Sequence, residues 1–193
     1  MTPPIVKSGP SNYLLPGEAA VHRGPGMVAT VLGSCVALVV FHPRQQTGGL
    51  FHAIMPRCAH FDCCHGTCQD TFRYADCATR WILNTFIAMG NHPEELVVKL
   101  FGGAESFGGA ISSPTISVGK DNVRVVLNML QAAGYPPKAM DVGGRSGRKL
   151  IFHPHTGDVF IKRLGSKILT HPDIELPKKA APVWSAPPSP GHP

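Results

Sequence analysis

The chain has 193 residues, and 43% of them are hydrophobic, which is enough for one folded domain with a complete core. The formal net charge of +6 favours an acidic partner surface, but only 7% of the residues are aromatic and no nucleic-acid-binding motif is present, so nucleic acid is not an expected partner. The sequence contains no pattern of a signal peptide and no apolar run long enough to cross a bilayer. We therefore expect a cytoplasmic protein without membrane insertion, in which cysteines stay reduced.

The prolines concentrate at the two ends of the chain, which suggests where the folded domain lies. Residues 1–11 are predicted to be a flexible N-terminus, and residues 12–170 to form a single domain. Residues 171–193 are rich in proline and alanine and have little apolar surface to bury, so they are predicted to be a disordered tail.

Short apolar runs rich in β-branched residues alternate in groups with two longer amphipathic segments. The runs predict strands at 28–32, 36–41, 50–55, 96–101, 149–153 and 159–163, and the amphipathic segments predict helices at 71–89 and 121–133. The segment 47–49, which contains two glycines, predicts a turn. Because strands follow strands, the order predicts a mixed α/β fold of the α+β kind, with largely antiparallel sheets packed in layers with two main helices.

The tripeptide Gly33-Ser34-Cys35 separates the first two predicted strands, and His52 lies on the third. A cysteine sulfur is a nucleophile as its thiolate, and a nearby histidine can take the thiol proton. A glycine beside the cysteine would allow a sharp turn that leaves the sulfur accessible. A hairpin centred on the intervening loop would place His52 opposite Leu38, roughly 10 Å along the strand from Cys35. A bulge, a register offset or the turn at Gly33 would have to close that gap.

Six segments of the chain carry a family resemblance. Two of them surround the cysteine and the histidine: Thr30-Val-Leu-Gly-Ser-Cys35-Val-Ala-Leu and Gly48-Gly-Leu-Phe-His52-Ala-Ile-Met-Pro56. The other four follow in order: Phe72-Arg-Tyr-Ala-Asp76, Lys99-Leu-Phe-Gly-Gly-Ala104, Gly119-Lys-Asp-Asn-Val123 and Asp141-Val-Gly-Gly-Arg-Ser-Gly-Arg-Lys149. In this order they resemble the CheD family, the chemoreceptor glutamine deamidases, and the fold is expected to be CheD-like.

The resemblance implies a protein-glutamine glutaminase, an amidohydrolase with a cysteine nucleophile and no cofactor. In the family the cysteine of Gly-Ser-Cys is the nucleophile and the histidine of the Gly-Gly-x-x-His strand is the base, and these map to Cys35 and His52. A threonine upstream of the cysteine orients the imidazole. Thr30 takes this role here, unless the family position is that of Ala29.

The local chain around the cysteine and two glycine-rich loops complete the predicted site. Backbone N–H groups of the turn at Gly33 and Ser34 are candidate donors to an oxyanion. The loops lack the spacing of phosphate-binding motifs, so we interpret them as tight turns after buried strands that shape the rim where substrate docks. The predicted rim residues are Phe101, Gly102, Gly103, Gly143 and Gly144.

A cluster of cysteine and histidine follows the histidine strand, in a region that is a variable loop in the family. Its side chains are of types that bind zinc, but their spacing is not a pair of C-x-x-C units. The favoured interpretation is a loop of reduced thiols without a metal, and metal binding or redox sensing remains the alternative. The candidate ligands are Cys58, Cys63, Cys64 and Cys68.

Two functions of different classes are compatible with the sequence. The first is deamidation of glutamines on the cytoplasmic helices of chemotaxis receptors, which are the expected partners. The second is a non-catalytic adaptor that binds receptors or a CheC-type phosphatase. A regulatory protein without turnover would be expected to lose the nucleophile or the base, and this chain has both, which favours the enzyme.

Overall fold

This computed structural model describes residues 12–59, 70–105 and 117–165. Nine strands lie within these ranges: β1 (Asn12–Tyr13), β2 (Glu18–Arg23), β3 (Val28–Leu32), β4 (Val36–His42), β5 (Thr47–Ala53), β6 (Val97–Gly102), β7 (Ala139–Val142), β8 (Arg148–Phe152) and β9 (Val159–Arg163). The two main helices are α1 (Ala75–Ala88) and α2 (Val118–Ala132), and short 3₁₀ turns occur at Thr71–Arg73 and Pro93–Glu95.

The strands form two sheets, one of five strands in the order β2-β5-β4-β6-β7 and one of four in the order β1-β3-β8-β9. All neighbouring strands are antiparallel except the pairs β1–β3 and β6–β7, which are parallel. The predicted mixed fold, with largely antiparallel sheets and two main helices, is confirmed.

Strand β4 is buried on both faces and separates two hydrophobic clusters. On one face, Leu38 and Val40 pack in a cluster with side chains of α1 and α2. On the other face, Val39 packs in a cluster with side chains of β3 and β8. Because successive side chains of a strand point to opposite faces, the five-stranded sheet forms the middle layer between the helices and the four-stranded sheet.

Strand β5 differs from its prediction, because it begins at Thr47 and ends at Ala53 rather than spanning 50–55. The predicted turn at 47–49 is therefore wrong, and both glycines lie within the strand. A side chain at Gly48 would meet the Phe152 ring at 2.5 Å and the Pro154 carbonyl oxygen at 2.8 Å. Glycine is needed here because β8 and the loop after it pack directly on the backbone of β5.

The limits of the domain, at residues 12 and 170, remain a prediction. Residues 1–11 and 171–193, which were predicted to be flexible and disordered, lie outside the described ranges. In the part of the chain that the structure describes, no helix combines the length and the apolar character that crossing a membrane requires.

Candidate active site

The turn 33–35 carries the chain from the four-stranded sheet into the five-stranded sheet. Backbone hydrogen bonds from the segment that follows β6 hold this turn in place. The Gly33 carbonyl accepts a hydrogen bond from the Ala104 N–H at 2.8 Å, and the Cys35 carbonyl accepts one from the Gly103 N–H at 2.8 Å. Cys35 is half-buried and packs against the cluster between the sheets. The cysteine therefore sits at a fixed crossing point with part of its surface exposed.

The glycine that this turn requires is Gly102 rather than Gly33. A side chain at Gly33 would meet no atom within 4 Å, and its backbone is not left-handed. The chain does bend at Gly33, but the conformation there does not require glycine. Gly102 has φ +109°, and a Cβ there would overlap the Cys35 carbonyl oxygen. Only glycine permits this approach of β6 to the cysteine turn.

His52 lies on the face of β5 that looks toward the four-stranded sheet. In the pairing of β4 with β5, its partner is Ala37 and not Leu38 as predicted. The shift by one residue brings His52 nearer to Cys35. It also places the two side chains on the same face of the sheet, because Cys35 precedes Ala37 by two residues. A register offset, one of the three features that could shorten this gap, is therefore present, and among the described residues Nε2 of His52 makes no hydrogen bond to the Cys35 sulfur.

Thr30 of β3 holds the imidazole of His52. The Thr30 hydroxyl lies 2.8 Å from His52 Nδ1, and it donates its single hydrogen to the Leu14 carbonyl at 2.8 Å. The hydroxyl must then accept from Nδ1, so neutral His52 carries its hydrogen on Nδ1 and a lone pair on Nε2. Nε2 is buried and has no hydrogen-bond partner among the described residues. This is the tautomer that a general base needs.

Burial shifts the pKa values of both groups in the direction of their neutral forms. Burial lowers the pKa of the His52 imidazole from 6.5 to about 4, and the nearby Leu14 carbonyl opposes this effect in part. Burial raises the pKa of the Cys35 thiol, and the backbone N–H of the same residue partly offsets this effect. At neutral pH the resting pair is therefore a thiol and a neutral imidazole, rather than a thiolate and an imidazolium.

Asn122 on α2 contacts the segments next to β4 and β5 and was not identified as a site residue from the sequence. Its side chain is fully buried, and its Nδ2 donates to the Ser34 carbonyl and to the Ile54 carbonyl, both at 2.9 Å. The available signal was a polar residue on the apolar face of a predicted helix, in register with Val125 and Val126.

The predicted rim residues do not form one surface. Phe101 packs in the core between the sheets with 3% of its surface exposed, so its assignment to the rim is wrong. Gly102 and Gly103 are buried, whereas Gly143 is half-buried and Gly144 is exposed. Gly143 donates to the Gly102 carbonyl at 2.8 Å, so the two glycine-rich loops adjoin each other. Gly143 and Gly144 remain candidates for contact with substrate, and so does Gly103, because it lines an open pocket together with Gly143.

The cysteine-rich segment can be described only at its first member. Cys58 is buried, and its N–H donates to both oxygens of the Asp76 carboxylate at 3.0 and 3.1 Å. Cys63, Cys64 and Cys68 lie outside the described residues. Within the ranges that are described, no three or more side chains of histidine, cysteine, aspartate or glutamate are grouped in a way that could hold a metal ion.

A partly buried thiol on the same face as a neutral imidazole, which a buried hydroxyl orients, is compatible with a hydrolase that uses a cysteine nucleophile. Comparison with known proteins identifies the family. The family model described as "CheD chemotactic sensory transduction" matches residues 64–163, and the chain belongs to the CheD family.

Relatives match most of the chain. The probable chemoreceptor glutamine deamidase CheD 2 of Geobacter sulfurreducens is 41% identical over 155 residues, which cover 80% of this chain and 91% of that protein. The probable chemoreceptor glutamine deamidase CheD of Maridesulfovibrio salexigens is 41% identical over 79% of this chain and 91% of its own length. The corresponding protein of Oleidesulfovibrio alaskensis is 38% identical over 81% of this chain and 74% of its own length.

Proposed function

We propose that this protein deamidates glutamine side chains of chemotaxis receptors, with Cys35 as the nucleophile and His52 as the general base and acid. The proposal rests on membership of the CheD family and on relatives whose names state this activity. The match of the family model begins after His52, so the assignment of the catalytic groups depends on geometry. The observation that carries it is the hydrogen bond between Thr30 and His52 Nδ1, which leaves Nε2 free to accept a proton.

The geometry supports a two-step reaction. His52 Nε2 takes the proton of the Cys35 thiol as the sulfur attacks the side-chain carbonyl carbon of a glutamine, and an oxyanion forms on the former carbonyl oxygen. The oxyanion collapses, and the imidazolium gives its proton to the departing amine, so that ammonia leaves and a thioester remains. Water then attacks the thioester, and Nε2 again accepts and returns a proton. The products are a glutamate side chain and the free thiol.

Thr30 contributes by holding the imidazole in one tautomer and one orientation. Its hydroxyl accepts from Nδ1–H throughout the cycle, because the Leu14 carbonyl keeps the hydroxyl hydrogen. The hydrogen bond also stabilises the imidazolium that forms when Nε2 is protonated. No part of this cycle requires a cofactor.

The expected partners are the cytoplasmic helices of receptors, which implies a cytoplasmic location for the enzyme. The net charge of +6 would attract acidic receptor surfaces and accelerate encounter. Conversion of a neutral glutamine into a carboxylate would change the electrostatics between packed receptor helices. Binding of a CheC-type phosphatase remains a prediction from the family.

The test is incubation of the purified protein with receptor cytoplasmic fragments, followed by mass spectrometry of their peptides. We expect individual glutamines to gain the small mass difference between an amide and an acid, with release of an equal amount of ammonia. Binding of the fragments without any conversion would contradict the enzymatic function and favour the non-catalytic adaptor.

Salt screens the attraction between the cationic protein and an acidic receptor surface. Raising the salt concentration in the same assay should therefore raise KM with little effect on kcat.

A further inference from the structure

The peptide unit between Ser34 and Cys35 is held by a side chain from helix α2. We propose that Asn122 is a positioning residue that directs the backbone N–H of Cys35 toward the reacting carbonyl, where this N–H serves as an oxyanion donor. This inference rests on the proposed deamidation and adds to it a donor group and the residue that aligns it.

The first step of the argument is the contact of Asn122. Its Nδ2 group donates to the Ser34 carbonyl and to the Ile54 carbonyl, both at 2.9 Å. Only the NH₂ end of an amide can donate to two carbonyl oxygens, so these partners also fix which end of the side chain faces the turn. The side chain is fully buried, and the contact is therefore shielded from water.

The second step follows from the geometry of the peptide bond. The Ser34–Cys35 peptide is trans, because the described residues contain no cis peptide bond. In a trans peptide the C=O and the N–H point in opposite directions. A Ser34 carbonyl that is directed at helix α2 therefore turns the Cys35 N–H away from that helix.

The third step is the surroundings of the Cys35 N–H. This N–H lies close enough to the sulfur of its own residue to lower the pKa of the thiol. Among the backbone hydrogen bonds of turns, loops and caps in the described residues, none is donated by the Cys35 N–H. The oxygen of a carbonyl that Cys35 attacks would develop its charge next to the sulfur, which is where this donor points.

The contact with Ile54 explains why one amide joins both sides of the site. The pairing of β4 with β5 ends at Val36 and Ala53, so Ser34 and Ile54 belong to the chain segments just beyond the ladder. There Asn122 donates to a carbonyl from each segment. The turn that contains Cys35 and the strand that contains His52 are thereby fixed relative to each other.

The main experiment compares Asn122→Leu with Asn128→Leu. Both substitutions replace an asparagine of α2 by a residue of similar size that cannot donate, and Asn128 is exposed. For Asn122→Leu we expect a kcat lower by about 10²–10³-fold, the usual effect of losing one oxyanion donor, with KM for the receptor fragment unchanged. Asn128→Leu should behave as the wild type. A kcat of Asn122→Leu within about twofold of the wild type would overturn the inference.

A second readout does not depend on deamidation. The rate of alkylation of Cys35 by iodoacetamide, measured against pH, follows the ionisation of the thiol. In Asn122→Leu the N–H would no longer stabilise the thiolate. The midpoint of the alkylation rate against pH should therefore move to higher pH in Asn122→Leu and not in Asn128→Leu. An unchanged midpoint would overturn the proposed role of Asn122. Failure of the wild type and of Asn128→Leu to deamidate would instead remove the proposed function, and the alkylation profile would still test the placement of the N–H.

Asn122→Asp keeps the shape of the side chain and changes its capacity to donate hydrogen bonds. A protonated carboxyl group can donate one hydrogen bond to the turn, and an ionised one can donate none. Its kcat should therefore fall, relative to that of the wild type, as pH rises through the titration of Asp at this position. A ratio that stays constant with pH would contradict a role for hydrogen donation by this side chain.

Discussion

The hydroxyl of Thr30 determines which nitrogen of His52 can accept a proton. Thr30 and His52 are almost completely buried, and the hydroxyl bridges Nδ1 and the Leu14 carbonyl. Periodicity indicates that residues 28–32 form a strand, but it does not indicate that this strand faces β5 across the space between two sheets. The sequence therefore supplied the residue types of the site, and their contact depends on how the layers pack.

Replacement of Thr30 by valine tests this hydrogen bond with little change of volume. We expect kcat to fall by about 10–100-fold, less than the ~10²–10⁴-fold contribution of an entire general base, because His52 remains but loses its fixed orientation. KM should change little. Steady-state deamidation is the measurement, and Thr79→Val is the matched control, because Thr79 is equally buried on α1 and bonds only within that helix. Equal losses in both variants would contradict the orienting role.

The pH dependence of kcat/KM tests the protonation state of His52. Burial lowers the pKa of this imidazole to about 4, and a protonated imidazole cannot take the thiol proton. The rate should therefore hold from pH 7 down to about pH 5 and fall only near pH 4. An acid limb close to 6.5, the value of an unperturbed histidine, would show that the imidazole is not buried as described.

At the scale of elements, the junction between β6 and the turn 33–35 sets the position of Cys35. Gly102 ends β6 opposite Val36, and Gly103 and Ala104 then donate to the carbonyls of Cys35 and Gly33. The sequence predicted both the strand and the glycine-rich loop. It did not predict that the loop donates hydrogen bonds to the turn, because this depends on contacts between segments far apart in the chain.

Gly102→Ala should destabilise the protein by about 2–4 kcal/mol, because it combines a left-handed backbone with overlap of the Cys35 carbonyl. Gly134→Ala is the control, since Gly134 has φ +77° but no atom within 4 Å of an added Cβ. It should lose only about 1 kcal/mol from backbone strain. Urea unfolding measures both. Similar losses for the two variants would argue against the close approach at Gly102.

The elements that the sequence predicted best are those with strong apolar patterns. Strand β3 and strand β9 have the predicted limits, and both helices are present with ends shifted by a few residues. The strands that were missed are β1, with two residues, β2, and β7 at the edge of the five-stranded sheet. Short or edge strands bury little and carry little periodic signal, so their pairing is set by tertiary contacts.

At the scale of the whole molecule, the buried His52 makes stability depend on pH. Its pKa is about 4 in the folded protein and 6.5 when exposed, so the unfolded chain binds more protons between these values. The contribution of His52 is complete above pH 6.5 and is lost as pH falls toward 4, by up to about 3 kcal/mol. Urea unfolding at pH 7, 5 and 4 should show this loss, and His52→Gln should reduce it. A loss of the same size in His52→Gln would assign it to other groups.

The residues of the candidate site come from different layers of the molecule. The four-stranded sheet supplies Thr30, the middle sheet supplies His52, the crossing between the sheets supplies Cys35, and helix α2 supplies Asn122. No single element contains two of these residues. The site therefore depends on the packing of the layers. The resemblance to a family named Cys35, His52 and Thr30 as candidates, and Asn122 was found only from its contacts in the fold.

The most direct test of the mechanism is the deamidation of a receptor fragment by Cys35→Ala, followed by mass spectrometry. Cys77→Ala serves as the matched control, because it removes a thiol that is buried on α1. The account predicts complete loss of glutamine conversion in Cys35→Ala, with unfolding behaviour like that of the wild type, and continued conversion in Cys77→Ala. Conversion by Cys35→Ala at a rate near that of the wild type would contradict it.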